Sequence, residues 1–188
     1  MKAVLISIKP KWCELIASGK KTVEVRKTKP KLETPFKVYI YETQGRTETP
    51  FVDEEGHHIF KGRGEVIGEF VCDKIVRFEN SLFDEVLPET VARSCVPMYD
   101  LLVYLGNQDY GYGWHISDLV IYDKPRELWE FKTTCKEYGS DNPNCTECHY
   151  YIDGMCYEYD ESDCGCNGRK PITRPPQSWC YVEERNDL

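Results

Sequence analysis

The chain has 188 residues, 40% of them hydrophobic, and a formal net charge of −8. That is most simply one domain able to bury a proper core, and no stretch approaches the ~20 apolar residues needed to span a bilayer, so a membrane helix is excluded. The charge is unevenly spread: residues 1–37 hold ten Lys/Arg against three Glu, whereas residues 135–166 hold one Lys against eight Asp/Glu. The overall acidity therefore says little about the main body, and the basic first segment reads as a phosphate-facing surface or as a solvated lysine-rich face.

In chain order, "AVLISI" (3–8) is a compact apolar run and predicts a buried strand. Charges return too soon after it for a signal peptide, so the expected compartment is the cytoplasm. Pro10 suits a first helical turn, Trp12, Leu15 and Ile16 give one apolar face, and Gly19 is the stop. "TVEVRK" (22–27) and "FKVYIYET" (36–43) return to period two, and residues 44–63 read as a polar loop or long hairpin. "GEVIGEFVCDKIVRF" (64–78) predicts one long strand with a bulge at Gly68. "LPETVARSC" and "VPMYDLLVYLG" predict two short helices, the second stopped by Gly106. "GWHISDLVIYDKP" (113–125) and "QSWCYVEE" (177–184) predict further strands. Short strands outnumber helices, which points to an α+β fold: a small mixed β-barrel with flanking short helices and an inserted segment.

"GKKTVEVR" sets lysines, a glutamate and an arginine directly behind a helix stop. Alternation sends Val23 and Val25 to the core and Thr22, Glu24 and Arg26 to the other face, with Lys21 at the mouth of the strand. Two cations would hold Glu24 ionised, and Arg26 could grip a carboxylate or phosphate in fork geometry. On spacing alone this is equally an edge strand with a surface ion pair.

Gly19-x-Lys21-x-x-Glu24-x-Arg26, preceded by "LISIKPKWCELIASG", resembles the signature of the ASCH domain family. "VIGEFVCDKI", "GYGWHISDLVIYDKPREL" and "PPQSWCYVEE" are also similar to segments of small bacterial and phage ASCH proteins, and the likeness covers most of residues 1–130 and 171–185. The resemblance implies a PUA-like barrel over residues 1–131, a Cys-rich insertion over 132–176, and a final barrel strand and tail over 177–188. It also implies a cleft that takes RNA, a single-stranded nucleic acid or a modified nucleotide beside Lys21, Glu24 and Arg26, with Lys9, Lys20, Trp114 and His115 as further contacts. One branch of the family is an amidohydrolase that deacetylates N4-acetylcytidine with a Lys-x-x-Thr strand and a later Glu. Lys21 matches that lysine, but Glu24 stands at the threonine position, so the expected hydroxyl is missing. Glu65 and Glu69 are the candidates for the later carboxylate, and Glu24 could serve as a general base beside Lys21.

Tyr110, Tyr112, Trp114 and His115 cluster beside Tyr122 and read either as barrel core or as base-stacking groups. Six of the ten cysteines fall within 32 residues. Cys145-x-x-Cys148 aims two thiolates at one point, and with Cys156 and Cys164 it would close a tetrahedral, structural zinc site, Cys135 and Cys166 being substitutes. Paired thiols or an iron–sulfur cluster are the alternatives. Three functions follow: a nucleic-acid or nucleotide binder, an amidohydrolase acting on a modified nucleoside, or a phage-type interaction module whose residues 132–176 bind a protein.

Overall fold

The computed structural model describes residues 1–44, 62–79, 89–134 and 169–185. The six clustered cysteines and most of the predicted loop at 44–63 lie outside the described residues. The elements are β1 (Lys2–Ile8), α1 (Pro10–Ala17), β2 (Val23–Arg26), β3 (Phe36–Glu42), β4 (Val66–Cys72), β5 (Ile75–Glu79), α2 (Glu89–Ala92), α3 (Met98–Leu105), β6 (Tyr110–His115), β7 (Ser117–Arg126), β8 (Lys132–Thr134), β9 (Arg169–Pro171) and β10 (Trp179–Glu183), with a 3₁₀ turn at Leu128–Glu130. The fold is α+β, as the alternation of short elements predicts.

A five-stranded sheet runs in the order β10-β1-β3-β4-β7, and a three-stranded sheet runs β2-β6-β5. Strands β1 and β3 are parallel, so the chain between them must cross over, and α1 and β2 make that crossover. The remaining pairs in both sheets are antiparallel. Among the described residues the sheets stay separate and no barrel closes.

The predicted strand 64–78 is two strands. β4 ends at Cys72 in the five-stranded sheet, and after Asp73 and Lys74 the chain enters the three-stranded sheet as β5. The predicted strand 113–125 likewise divides at Ile116, with β6 in the smaller sheet and β7 on the edge of the larger. Periodicity passes unbroken through such corners because each residue keeps its alternation while the partners change. The bulge expected at Gly68 is present as a register shift between β4 and β7.

Three apolar clusters form the interior. Val4, Ile6, Ile8, Phe36, Val38, Ile40 and Phe70 cover one face of the larger sheet and pack with Cys13 and Ile16 of α1 and Trp114 of β6. Leu5, Tyr39, Val66, Leu128 and Phe131 fill its opposite face. Val25 and Phe78 join Val91, Leu101 and Leu105, which seats α2 and α3 on the back of the smaller sheet. β2 is thus held between two of these clusters, and its burial on both faces sets up the site.

Strands β8 and β9 form a separate antiparallel ribbon with Lys132 opposite Pro171 and Thr134 opposite Arg169. Thr134 and Arg169, the described residues on either side of 135–168, are therefore neighbours. Arg169 Nε pairs with Glu183 Oε1 of β10 at 2.6 Å, and Ile172 N donates to Phe131 O at 2.9 Å, tying that stem to the sheet.

Candidate functional site

Helix α1 ends on Ser18, and Gly19 takes φ +73°, the left-handed conformation that glycine adopts without strain. Gly19 N donates to Ile16 O and Lys21 N to Leu15 O, each at 2.9 Å, folding the chain back beneath the last turn. The lysine that follows this reversal points inward.

Lys21 Nζ donates to Val23 O at 2.9 Å and to Ser94 O at 2.7 Å, and stands 3.2 Å from Glu24 Oε2. Arg26 Nη2 meets Glu24 Oε1 at 2.9 Å and donates to Ser7 O at 2.7 Å; Nη1 reaches Ser178 Oγ at 3.5 Å. Lys21, Glu24 and Arg26 are 2%, 6% and 7% exposed. The expected surface face of β2 is therefore interior, and a surface ion pair is replaced by a buried cluster. Two cations against one carboxylate leave one excess positive charge.

The cover comes from far along the chain. Ser7 Oγ donates to Pro176 O at 2.6 Å, and Trp179 Nε1 donates to Thr28 Oγ1 at 3.1 Å, so the "PPQSW" segment lies across the arginine end. Ser94, just beyond α2, supplies the carbonyl at the lysine end. Glu24 and Trp114 are cross-strand partners. Three buried side-chain atoms here lack a hydrogen bond: Glu24 Oε2, in ion-pair range of Lys21 but poorly aligned, Arg26 Nε and Trp114 Nε1. Most buried polar atoms are hydrogen-bonded, so three such atoms lie together at this cluster against the usual rule.

The other candidates divide by location. Lys9 and Lys20 are exposed at the two ends of α1. Trp114 is fully buried, edge-on to Phe36 and tilted against Trp179, and presents no face to a base. His115 is partly exposed and its Nδ1 lies 2.6 Å from Asp73 Oδ1. That hydrogen bond holds the Asp73 carboxyl below its ordinary range. Glu65 stands just before β4. Glu69 pairs in register with Tyr39, bonds Lys37 at 2.9 Å and accepts from Tyr122 Oη at 2.6 Å, on the sheet face away from Lys21. Burial and the nearby Glu69 carboxylate both push the Tyr122 phenol well up. Cys13 borders the cluster, and burial, reinforced by Glu42 and Glu24, raises its thiol far above the ordinary range, which leaves it a neutral donor to Ile8 O.

Sequence reasoning assigned Trp12 only to the helix face, yet its ring lies 5.4 Å from Lys21 Nζ and is only half-buried. Ser7, Ser94 and Ser178 carried no signal at all, because two of them act through backbone carbonyls brought in by distant segments. Among the described residues no group of three or more His, Cys, Asp or Glu is placed to hold a metal ion. No helix there is long and apolar enough to cross a membrane.

The family model of the ASCH domain matches residues 6–138. Among solved structures, the ASCH protein of Zymomonas mobilis aligns with a TM-score of 0.54 at 18% identity, covering 97% of this chain and 88% of that one. A tyrosine-to-phenylalanine mutant of that protein gives 0.53 at 17% identity, with 98% and 92% covered. A serine-to-alanine mutant gives 0.55 at 16%, with 97% and 89% covered. At this identity the likeness is one of fold, PUA-like mixed sheets with short helices. No curated protein matches.

Proposed function

The chain belongs to the ASCH domain family, PUA-like and generally RNA-binding, and on that premise we propose that it binds RNA or a modified nucleotide at the Lys21–Glu24–Arg26 cluster. The observation that carries this reading is the buried excess positive charge beside the unpartnered Arg26 Nε and Trp114 Nε1. The carbonyl dipoles of Val23, Ser94 and Ser7 offset part of that charge, and a phosphate or base carbonyl oxygen would offset more. The ten basic residues of the first 37 supply the surrounding positive field.

The amidohydrolase reading has less support. Lys21 Nζ donates to two carbonyls and faces a carboxylate, which leaves it poorly placed to act as a nucleophile. Glu69 is engaged elsewhere by Lys37 and Tyr122. A protein partner for residues 132–176 is the third reading and concerns a segment that lies mostly outside the described residues.

The test is equilibrium binding of a short fluorescent RNA and of a mononucleotide across a salt series. Wild-type affinity should fall with salt. Arg26→Lys, which keeps the charge but removes the guanidinium fork, should weaken both ligands about tenfold or more with an unchanged circular dichroism spectrum. No binding by the wild type, or identical binding by the variant, overturns the proposal.

A further inference from the structure

Strand β6 reads Tyr-Gly-Tyr-Gly-Trp-His, and the structure divides it by face. Gly111 lies toward α3: a Cβ there would press on the Phe78 ring and come within 3.0 Å of Leu105 Cδ2. The aromatics therefore take the other face, the one that carries Glu24 and Arg26 on β2 and Arg77 on β5. Along that face exposure rises with distance from the charged cluster. Trp114, opposite Glu24, is fully buried; Tyr112, opposite Arg26, is half-buried; Tyr110 is 37% exposed.

Each outward ring carries a cation. Lys29 Nζ lies 5.8 Å from the Tyr112 centroid and the Arg77 guanidinium 4.1 Å from that of Tyr110. Tyr110 and Tyr112 meet edge to face with centroids 5.7 Å apart. Two adjacent rings, each with a cation within about 6 Å of its centroid, put π-faces and positive charge side by side. Arg77 also meets Glu79 Oε1 at 3.0 Å, but that pair is exposed, contributes little, and can be exchanged for a phosphate.

We infer that Tyr112 and Tyr110, flanked by Lys29 and Arg77, form a stacking track that carries the nucleotides next to the one at the Lys21–Glu24–Arg26 cluster, so that the ligand is a single strand of RNA rather than a free nucleoside. Rings that offer a π-face to any base, beside cations that follow the backbone, are the combination that holds single strands without sequence preference. This inference rests on the reading above and adds a second, separable binding region to it.

The test compares the wild type with the Tyr110→Leu/Tyr112→Leu and Tyr110→Phe/Tyr112→Phe double variants. The probes are fluorescein-labelled oligouridine of about ten nucleotides, within the usual site size of such surfaces, the matching oligothymidine, and UMP. The leucine variant should bind oligouridine at least about tenfold more weakly while UMP binding holds, and the phenylalanine variant should bind both like the wild type. Lys29→Gln/Arg77→Gln should lower the salt slope by about 0.7 for each phosphate that the variant no longer neutralises. Wild-type affinity for oligouridine in the leucine variant overturns the track and leaves the cluster reading standing. Failure of the wild type to bind oligouridine or UMP overturns both. Loss of UMP and oligouridine together, with unchanged circular dichroism, overturns the division into two regions, and tighter binding of oligothymidine overturns the assignment to RNA.

Discussion

Glu24 Oε1 meets Arg26 Nη2 at 2.9 Å with both residues more than nine-tenths buried, although the two stand on the same face of one four-residue strand. The pair persists because the second carboxylate oxygen faces Lys21 and because the Ser7 carbonyl takes a further guanidinium N–H. Removing the carboxylate would leave two buried cations facing each other. Glu24→Ala is therefore expected to destabilise the fold by about 3–5 kcal/mol in chemical denaturation. The apolar triple variant Lys21→Met/Glu24→Leu/Arg26→Met should recover most of that loss, since it leaves no buried charge unpaired. A triple variant no more stable than Glu24→Ala would show that the cost is packing and not charge.

Gly68 sits where β4 and β7 shift register, and a Cβ there would fall well inside contact distance of the Val120 carbonyl oxygen. Backbone cannot rotate away as a side chain can. Gly68→Ala should cost about 1–3 kcal/mol in thermal or denaturant unfolding. Gly19→Ala should be destabilising for a different reason, since its site has open space and the strain comes only from φ +73°.

The Asp73–His115 hydrogen bond sets an acid-side dependence. Its folded carboxyl is held low, so the native state binds fewer protons than the unfolded chain in the acid range. The stabilisation is thus fully present above the ordinary carboxylate value and is lost as pH falls through the depressed folded one. Asp73→Asn should flatten the acid limb of a stability–pH curve while changing neutral stability by at most about 1 kcal/mol, because the pair is partly exposed. An unchanged acid limb would mean that the hydrogen bond contributes nothing in solution.

Thr134 and Arg169 are directly opposed in the β8–β9 ribbon, as the two ends of a tight hairpin would be. Replacing residues 135–168 by Asn-Gly should close that hairpin and shift the Tm of the body by less than about 5 °C. The intact chain is expected to carry about one zinc ion on its clustered cysteines, and the shortened one none, as read by elemental analysis. Collapse of the shortened protein would show that the excised segment supports the body; an intact chain without zinc would remove the metal reading.

Much was legible in local pattern. The strand runs at 3–8 and 36–43, the glycine stops after both longer helices and the bulge at Gly68 all follow from periodicity and from backbone conformations that glycine alone adopts easily. The position of the charged strand, directly after the first helix stop, was legible as well. The sequence by itself determined which residues alternate and where the longer helices stop, but not where the runs 64–78 and 113–125 pass from one sheet to the other. It did not determine what lies over each face. Alternation put Glu24 and Arg26 on the face opposite Val23 and Val25 and left open what covers it; Ser94 arrives from 73 residues beyond Lys21 and Ser178 from 152 beyond Arg26 to enclose them. It also could not separate Trp114, sealed against Phe36 and Trp179, from Tyr112 and Tyr110 on the same face of the same strand. Burial is a property of the neighbours a residue acquires, and those neighbours come together only when distant segments pack into one interior.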